Sequence, residues 1–168
     1  MAQKLDRRTF VKSGAVLAAG LATSRAYGAN ERIRLAFVGV GNRGGQLIGA
    51  ACNHADMQAA AVCDVYAPYR EKWAAELKCP GYGDWRELLD KKDVDAIVIA
   101  APDHWHALMT IAACRAGKDV YVEKPLSYTI REGRKMVEVA RETKRIVQVG
   151  TQRRSSPMYA QLGELVRG

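Results

Sequence analysis

The chain has 168 residues, 48% of them hydrophobic and 26% charged, a composition that fits one soluble globular domain and excludes a disordered or fibrous chain. A net charge of +8 spread over the fold would suggest an anionic partner, but half of it lies in the first thirty residues, where Lys4, Arg7, Arg8, Lys12 and Arg25 stand against Asp6 alone. The remaining basic residues sit singly on expected helix faces without interleaved aromatics, so no nucleic-acid partner is expected.

The first segment, 1–29, reads as an address. A charged opening is followed by a mild apolar run rich in Gly and Ala from Gly14 to Thr23, too short to span a bilayer. Arg7 and Arg8, followed by Thr9, Phe10, Val11 and Lys12, resemble a twin-arginine export signal, and Ala26 to Gly28 offer the small residues that a signal peptidase reads. This implies passage through the twin-arginine translocase and a periplasmic or other extracytoplasmic location, with no stable membrane span. An amphipathic helix packed on the domain is the alternative. Cys52, Cys63, Cys79 and Cys114 have neither C-x-x-C spacing nor a His pair at ligand spacing, so no metal site is expected and the thiols read as free.

From Ile33 onward apolar runs alternate with helical segments. IRLAFVGVG (33–41), DMQAAAVCDV (56–65), DAIVIAAP (95–102), KDVYVEKP (118–125) and RIVQVG (145–150) read as strands, and their near-continuous apolar character fits strands covered on both faces. Helices are expected over 44–53, 68–77, 84–89, 106–116 and 130–143. Thr129 and Glu132 form a capping box before the last, and Gly117 stands where a helix C-terminus favours a left-handed residue. Repeated βαβ units predict an α/β fold with a doubly wound parallel sheet, the Rossmann fold, over 30–155, with 156–168 beginning a further helix.

The first strand ends in a bend whose glycines, Gly39, Gly41 and Gly44, have G-x-G-x-x-G spacing and run into the first helix through Asn42 and Arg43. In a dinucleotide site Gly39 permits the tight turn, Gly41 lets backbone approach the pyrophosphate, and Gly44 allows helix and strand to pack closely. The helix N-terminus offers unpaired N–H groups and a positive dipole end to the phosphates. Asp64, twenty residues beyond Gly44 at the end of the second strand, is placed to accept the ribose hydroxyls. A carboxylate there repels a 2′-phosphate, and Val65 and Tyr66 offer no cation to receive one, so NAD is favoured over NADP; Arg70, a turn away, weighs the other way.

The fourth strand stops on Glu123, Lys124 and Pro125. Ligands of open α/β sheets bind outside the carboxyl ends of the strands, where this tripeptide falls, and proline ends the ladder because it has no N–H to give. A lysine partly desolvated beside a cationic nicotinamide should have its pKa lowered and be able to exchange a proton with a substrate hydroxyl. A surface salt bridge between Glu123 and a neighbouring base fits the same residues equally well.

Four ordered motifs, GVGNRG (39–44), APDHWH (101–106), VEKPLS (122–127) and VGTQRRS (149–155), closely resemble the Gfo/Idh/MocA family, the glucose-fructose oxidoreductase and inositol dehydrogenase group. The resemblance covers 33–168. It implies a Rossmann domain that binds NAD(P), with Lys124 contacting substrate and nicotinamide and Pro125 in a cis peptide. Pro102 and His106 would lie near the cofactor, and Gln152 and Arg153 in a loop turned toward substrate. It also implies a second α/β domain, with a further catalytic group, beyond the helix at 156–168, and leaves open a homo-oligomer formed through that domain. Three functions follow: hydride transfer between NAD and a sugar or cyclitol carbon, an exported glycosidase that retains and recycles NAD, or a dinucleotide-binding fragment inactive alone.

Overall fold

A computed structural model of the chain describes residues 32–167. The expected export signal at 1–29 lies outside the described residues. In chain order the elements are β1 (Ile33–Val38), α1 (Asn42–Cys52), β2 (Met57–Cys63), α2 (Ala67–Leu77), β3 (Gly81–Tyr82), a 3-10 turn (Trp85–Leu88), β4 (Ala96–Ile99), α3 (Asp103–Arg115), β5 (Asp119–Glu123), α4 (Ile130–Thr143), β6 (Val147–Gly150), a second 3-10 turn (Gln152–Ser155) and α5 (Pro157–Arg167).

All six strands are parallel, in the order β3-β2-β1-β4-β5-β6. The chain winds outward from β1 to β3, then returns past β1 to lay down β4, β5 and β6. The connections therefore diverge between β1 and β4, and that divergence opens a crevice at the carboxyl edge. Alternation along each strand divides the core into two layers. Ala36 and Val38, Ala61 and Cys63, Ile97 and Ile99, and Val120 and Val122 pack with Ala113 and Cys114 of α3 and Met136 and Val139 of α4. Phe37, Val62 and Val98 face the other way and pack with Val40, Ile48 of α1 and Trp73 of α2. Complete burial of one such side chain contributes about 1.5–3 kcal/mol.

Five of the six strands lie within the expected runs, and α4 has the expected bounds. Its capping box is formed, with Glu132 N donating to Thr129 Oγ1 at 3.2 Å and Thr129 N to Glu132 Oε2 at 2.8 Å. Gly117 has the left-handed φ of +77° expected after α3. Two helices begin more than one residue earlier than the sequence predicts, because Gly41 and Pro102 themselves serve as their N-caps. This brings Asn42 and Arg43 into the first turn of α1. The segment 84–89, expected as a helix, is the short 3-10 turn capped by Asp84, whose Oδ1 accepts Arg86 N at 2.9 Å. The two-residue β3 has no apolar run to announce it. Backbone hydrogen bonds to β2 hold it in the sheet, Pro80 O accepting Val62 N at 3.0 Å and Tyr82 O accepting Asp64 N at 3.2 Å.

Candidate functional site

The bend after β1 is fixed by close backbone approach. Gly39 has φ +77°, and a Cβ there would lie 2.7 Å from Ala101 N at the end of β4, so only glycine fits without displacing backbone. A Cβ on Gly44 would overlap the carbonyl oxygen of Gly39, which is why α1 can start directly beneath β1. At Gly41 a Cβ would sit 3.3 Å from the Tyr69 ring and would narrow the space over the helix end. The N-terminus of α1 has neither a side-chain cap nor an acidic residue in its first turn. Its donors are thus open to an anion.

Asp64 braces this bend. Its Oδ2 accepts Val40 N and its Oδ1 accepts Tyr66 N, both at 2.9 Å, while Arg70 Nη1 donates to the Asp64 backbone carbonyl at 2.9 Å. The carboxylate therefore ties the glycine bend to the start of α2, and it also borders a cavity of about 490 Å³ at the carboxyl ends of β1, β2 and β4. Gly39, Gly41, Tyr66, Pro102 and Trp105 line the same space. A mostly apolar slot with one carboxylate beside an open helix N-terminus suits a flat heteroaromatic ring, a ribose and a phosphate in sequence. Cys63 also borders it. Burial first, then the negative charges of Asp64, Asp84 and Glu87, push its thiol up to about 12, so it offers no thiolate at neutral pH.

On the far side of β4, β5 ends in Glu123, followed by the cis peptide Lys124–Pro125. Lys124 is exposed, and among the described residues its ammonium has no hydrogen-bond or ion-pair partner. Glu123 is the buried one. Two residues after Tyr121 it faces the α1 side of the sheet, where its Oε1 accepts Arg43 Nε at 2.7 Å and pairs with Arg43 Nη2 at 2.7 Å. Its Oε2 accepts Gln152 Nε2 at 3.0 Å and Lys124 N at 3.1 Å. Burial pushes this carboxyl up, but the hydrogen bonds from Arg43 and Gln152 and the charge of Arg43 outweigh it and hold the group below the ordinary value. The salt-bridge alternative is thus realised in a buried form, with a base eighty residues away in sequence.

Of the remaining expected site residues, His106 is only 1% exposed and lies beneath the cleft, not beside it. Its Nδ1 is 2.7 Å from Pro125 O and its Nε2 2.8 Å from Ala101 O, so it links the turns after β4 and β5. Asn42 is exposed, and its Oδ1 accepts Gln46 Nε2 at 3.2 Å. Arg153 turns away to α5, donating to the Tyr159 hydroxyl at 2.7 Å. The fold thus gathers Gly39, Gly41, Asp64 and Pro102 around one cavity and Arg43, Glu123, Lys124 and Gln152 in one network, both on the same carboxyl edge. Sequence reasoning missed Tyr66, Trp105 and Trp85 as cavity walls. For Tyr66 the signal was available, since it directly follows a strand end; Trp85 arrives behind the unannounced β3. Among the described residues no cluster of His, Cys, Asp or Glu could hold a metal ion.

The model of an oxidoreductase family with an NAD-binding Rossmann fold, Gfo/Idh/MocA, matches residues 33–151. Among curated proteins the chain is similar to an inositol 2-dehydrogenase of Salmonella paratyphi B, 32% identical over 80% of this chain and 41% of the relative. It is also similar to a glycosyl hydrolase family 109 protein of a Shewanella species, 28% identical over 84% of this chain and 38% of the relative. The solved myo-inositol 2-dehydrogenase of Lactobacillus plantarum superposes with a TM-score of 0.75 at 30% identity, over 80% of this chain and 41% of that one. The chain spans about two fifths of the length of these relatives.

Proposed function

The chain belongs to the Gfo/Idh/MocA oxidoreductase family, whose NAD-binding Rossmann fold it has, and on that premise we propose that it supplies the dinucleotide-binding part of an enzyme that moves hydride between NAD and a hydroxyl-bearing carbon of a sugar or cyclitol. NAD supplies the hydride acceptor. The observation that carries the reading is the common carboxyl edge shared by the glycine bend, Asp64 and Lys124. The first-turn N–H groups of α1, from Asn42 and Arg43, hold the phosphates, and Asp64 accepts the ribose hydroxyls while keeping the bend in shape. Lys124, exposed at the end of β5, would exchange a proton with the substrate hydroxyl, taking it up as the free amine. Gln152 lies beside it on the Glu123 carboxylate, whereas Arg153 is engaged by Tyr159 of α5.

Asp64 also bears on the choice of nucleotide. Its charge opposes a 2′-phosphate, and Arg70 is engaged by the Asp64 backbone carbonyl. We therefore assign NAD ahead of NADP. The opening 1–29 supports export by the twin-arginine route to the periplasm, which suits a protein that folds around its nucleotide before crossing the membrane.

The inositol dehydrogenase relatives favour hydride transfer as the net reaction. The family 109 relative motivates a second reading, a glycosidase that keeps NAD bound through oxidation and re-reduction of its sugar. Calorimetric titration of NAD into this chain tests the nucleotide assignment. Saturable binding, weakened by Asp64→Ala, is expected, and no binding would overturn it. Nicotinamide absorbance during incubation of the protein with polyols and glycosides separates the two reactions. Net NADH formation supports the dehydrogenase, and glycoside cleavage without NADH supports the glycosidase.

A further inference from the structure

Glu123 is an unusual group to find at the end of a central strand. Its side chain is 4% exposed, yet it is charged, and it meets donors from three separate parts of the chain. Arg43 comes from the first turn of α1, directly after the glycine bend, and Gln152 from the 3-10 turn after β6. The third donor is the N–H of Lys124. The Tyr121 hydroxyl stands 3.4 Å from Oε1 as a longer fourth contact. Since a buried carboxylate needs every acceptor site filled, the positions of these donors are mutually dependent.

Two backbone features fit that dependence. Glu123 pairs in register with Gly150 across β5 and β6, and a Cβ on Gly150 would lie 2.9 Å from Glu123 Oε1, so the neighbouring strand leaves room for the carboxylate. Gln152 has φ +28°, in the left-handed region that non-glycine residues avoid, and its amide reaches Glu123 from there. The guanidinium of Arg43 is also spoken for. Nε and Nη2 go to Glu123 and Nη1 to Gln46 Oε1 at 2.9 Å, which leaves the backbone of Arg43 as its offering to a phosphate.

We propose that Glu123 is a positioning residue that couples occupancy of the phosphate end of the cleft to the placement of Lys124. An anion that orders the first turn of α1 also orders Arg43; through the carboxylate, this fixes the backbone of Lys124 and the amide of Gln152. By reciprocity, an ordered Lys124 turn favours nucleotide binding. The inference rests on the reading of the cleft as an NAD site with Lys124 as its proton-handling group.

The test measures acetylation of Lys124 by a small amine-reactive reagent, read by peptide mass spectrometry, with and without NAD at a concentration shown by calorimetry to saturate each variant. In the wild-type chain NAD is expected to change the Lys124 rate about tenfold, within the range of ordinary site-to-site coupling. In Glu123→Gln the amide nitrogen must face one of the donors, one arm of the clamp breaks, and the NAD effect should fall below about threefold although NAD still saturates. Gln152→Ala, a change at an exposed position, removes a single arm and should give an intermediate ratio; it decides the matter if Glu123→Gln does not fold. Simple shielding of Lys124 by bound nucleotide would leave the ratio unchanged in both variants, and that result overturns the proposal. A wild-type chain that binds NAD without altering Lys124 reactivity overturns it too, whereas a wild-type chain that binds no NAD overturns the nucleotide assignment itself.

Discussion

The two ends of the carboxyl edge are built on different principles. Around β1, β2 and β4 the walls are backbone and aromatic rings, and Gly39 and Gly44 are dictated by backbone contacts under 3 Å. Around β5 and β6 the organising element is a buried charge, and the residue proposed for chemistry, Lys124, stands exposed. Steric fit makes the first region specific for a shape. Electrostatic satisfaction makes the second sensitive to what occupies it, because a buried carboxylate that loses one donor becomes destabilising. The nucleotide end is thus set by shape, and the lysine end by its charged partners.

Substitutions at the two ends should fail differently. Where polyol-dependent reduction of NAD is measured, Lys124→Ala should lower the turnover rate by about 10²–10⁴-fold, the range of a lost general acid–base, while leaving NAD affinity within about threefold. Equal loss of affinity and rate would erase the distinction between the two regions. Gly39→Ala attacks the other end. Its Cβ meets Ala100 and Ala101 backbone from a left-handed φ, strain of about 1–3 kcal/mol, so NAD affinity in a calorimetric titration should drop roughly tenfold to a hundredfold. Unchanged affinity would mean that the bend is not the phosphate site.

Glu123→Gln should destabilise the fold by about 1–3 kcal/mol at pH 7, less than a fully buried pair because Arg43 is 35% exposed. The folded pKa of Glu123 lies below its ordinary 4.5, so the stabilisation is fully present above 4.5 and is lost as the pH falls through the lower folded value. Denaturant titrations of both proteins should therefore converge on acidification, and a gap that stays constant below pH 4.5 would contradict the buried ion pair. The smallest effect concerns the thiols. An alkylating reagent at pH 7 should modify exposed Cys52 and leave buried Cys63 and Cys114 untouched without denaturant.

The features legible in the sequence were those whose causes are local. The glycine spacing, the Thr129–Glu132 box and the five apolar runs each announce themselves within a few residues, and their alternation with helices gives the doubly wound parallel sheet. Those that were not legible depend on distant partners. Glu123 and Arg43 meet across eighty residues, so nothing near either one distinguishes a buried pair from a surface one. His106 was placed near the cofactor by the resemblance of its motif alone, and its bridge from Ala101 O to Pro125 O on the next strand's turn has no local signal. Trp85 enters the cavity wall behind a strand only two residues long, whose pairing depends on β2.

The central claim is that one dinucleotide lies along the edge from the glycine bend to Lys124. A crystal structure of the chain soaked with NAD tests it most directly. The account predicts pyrophosphate against the first turn of α1, ribose hydroxyls on Asp64 and the nicotinamide within reach of the Lys124 ammonium. A dinucleotide bound elsewhere, or one whose nicotinamide points away from β5, would contradict it.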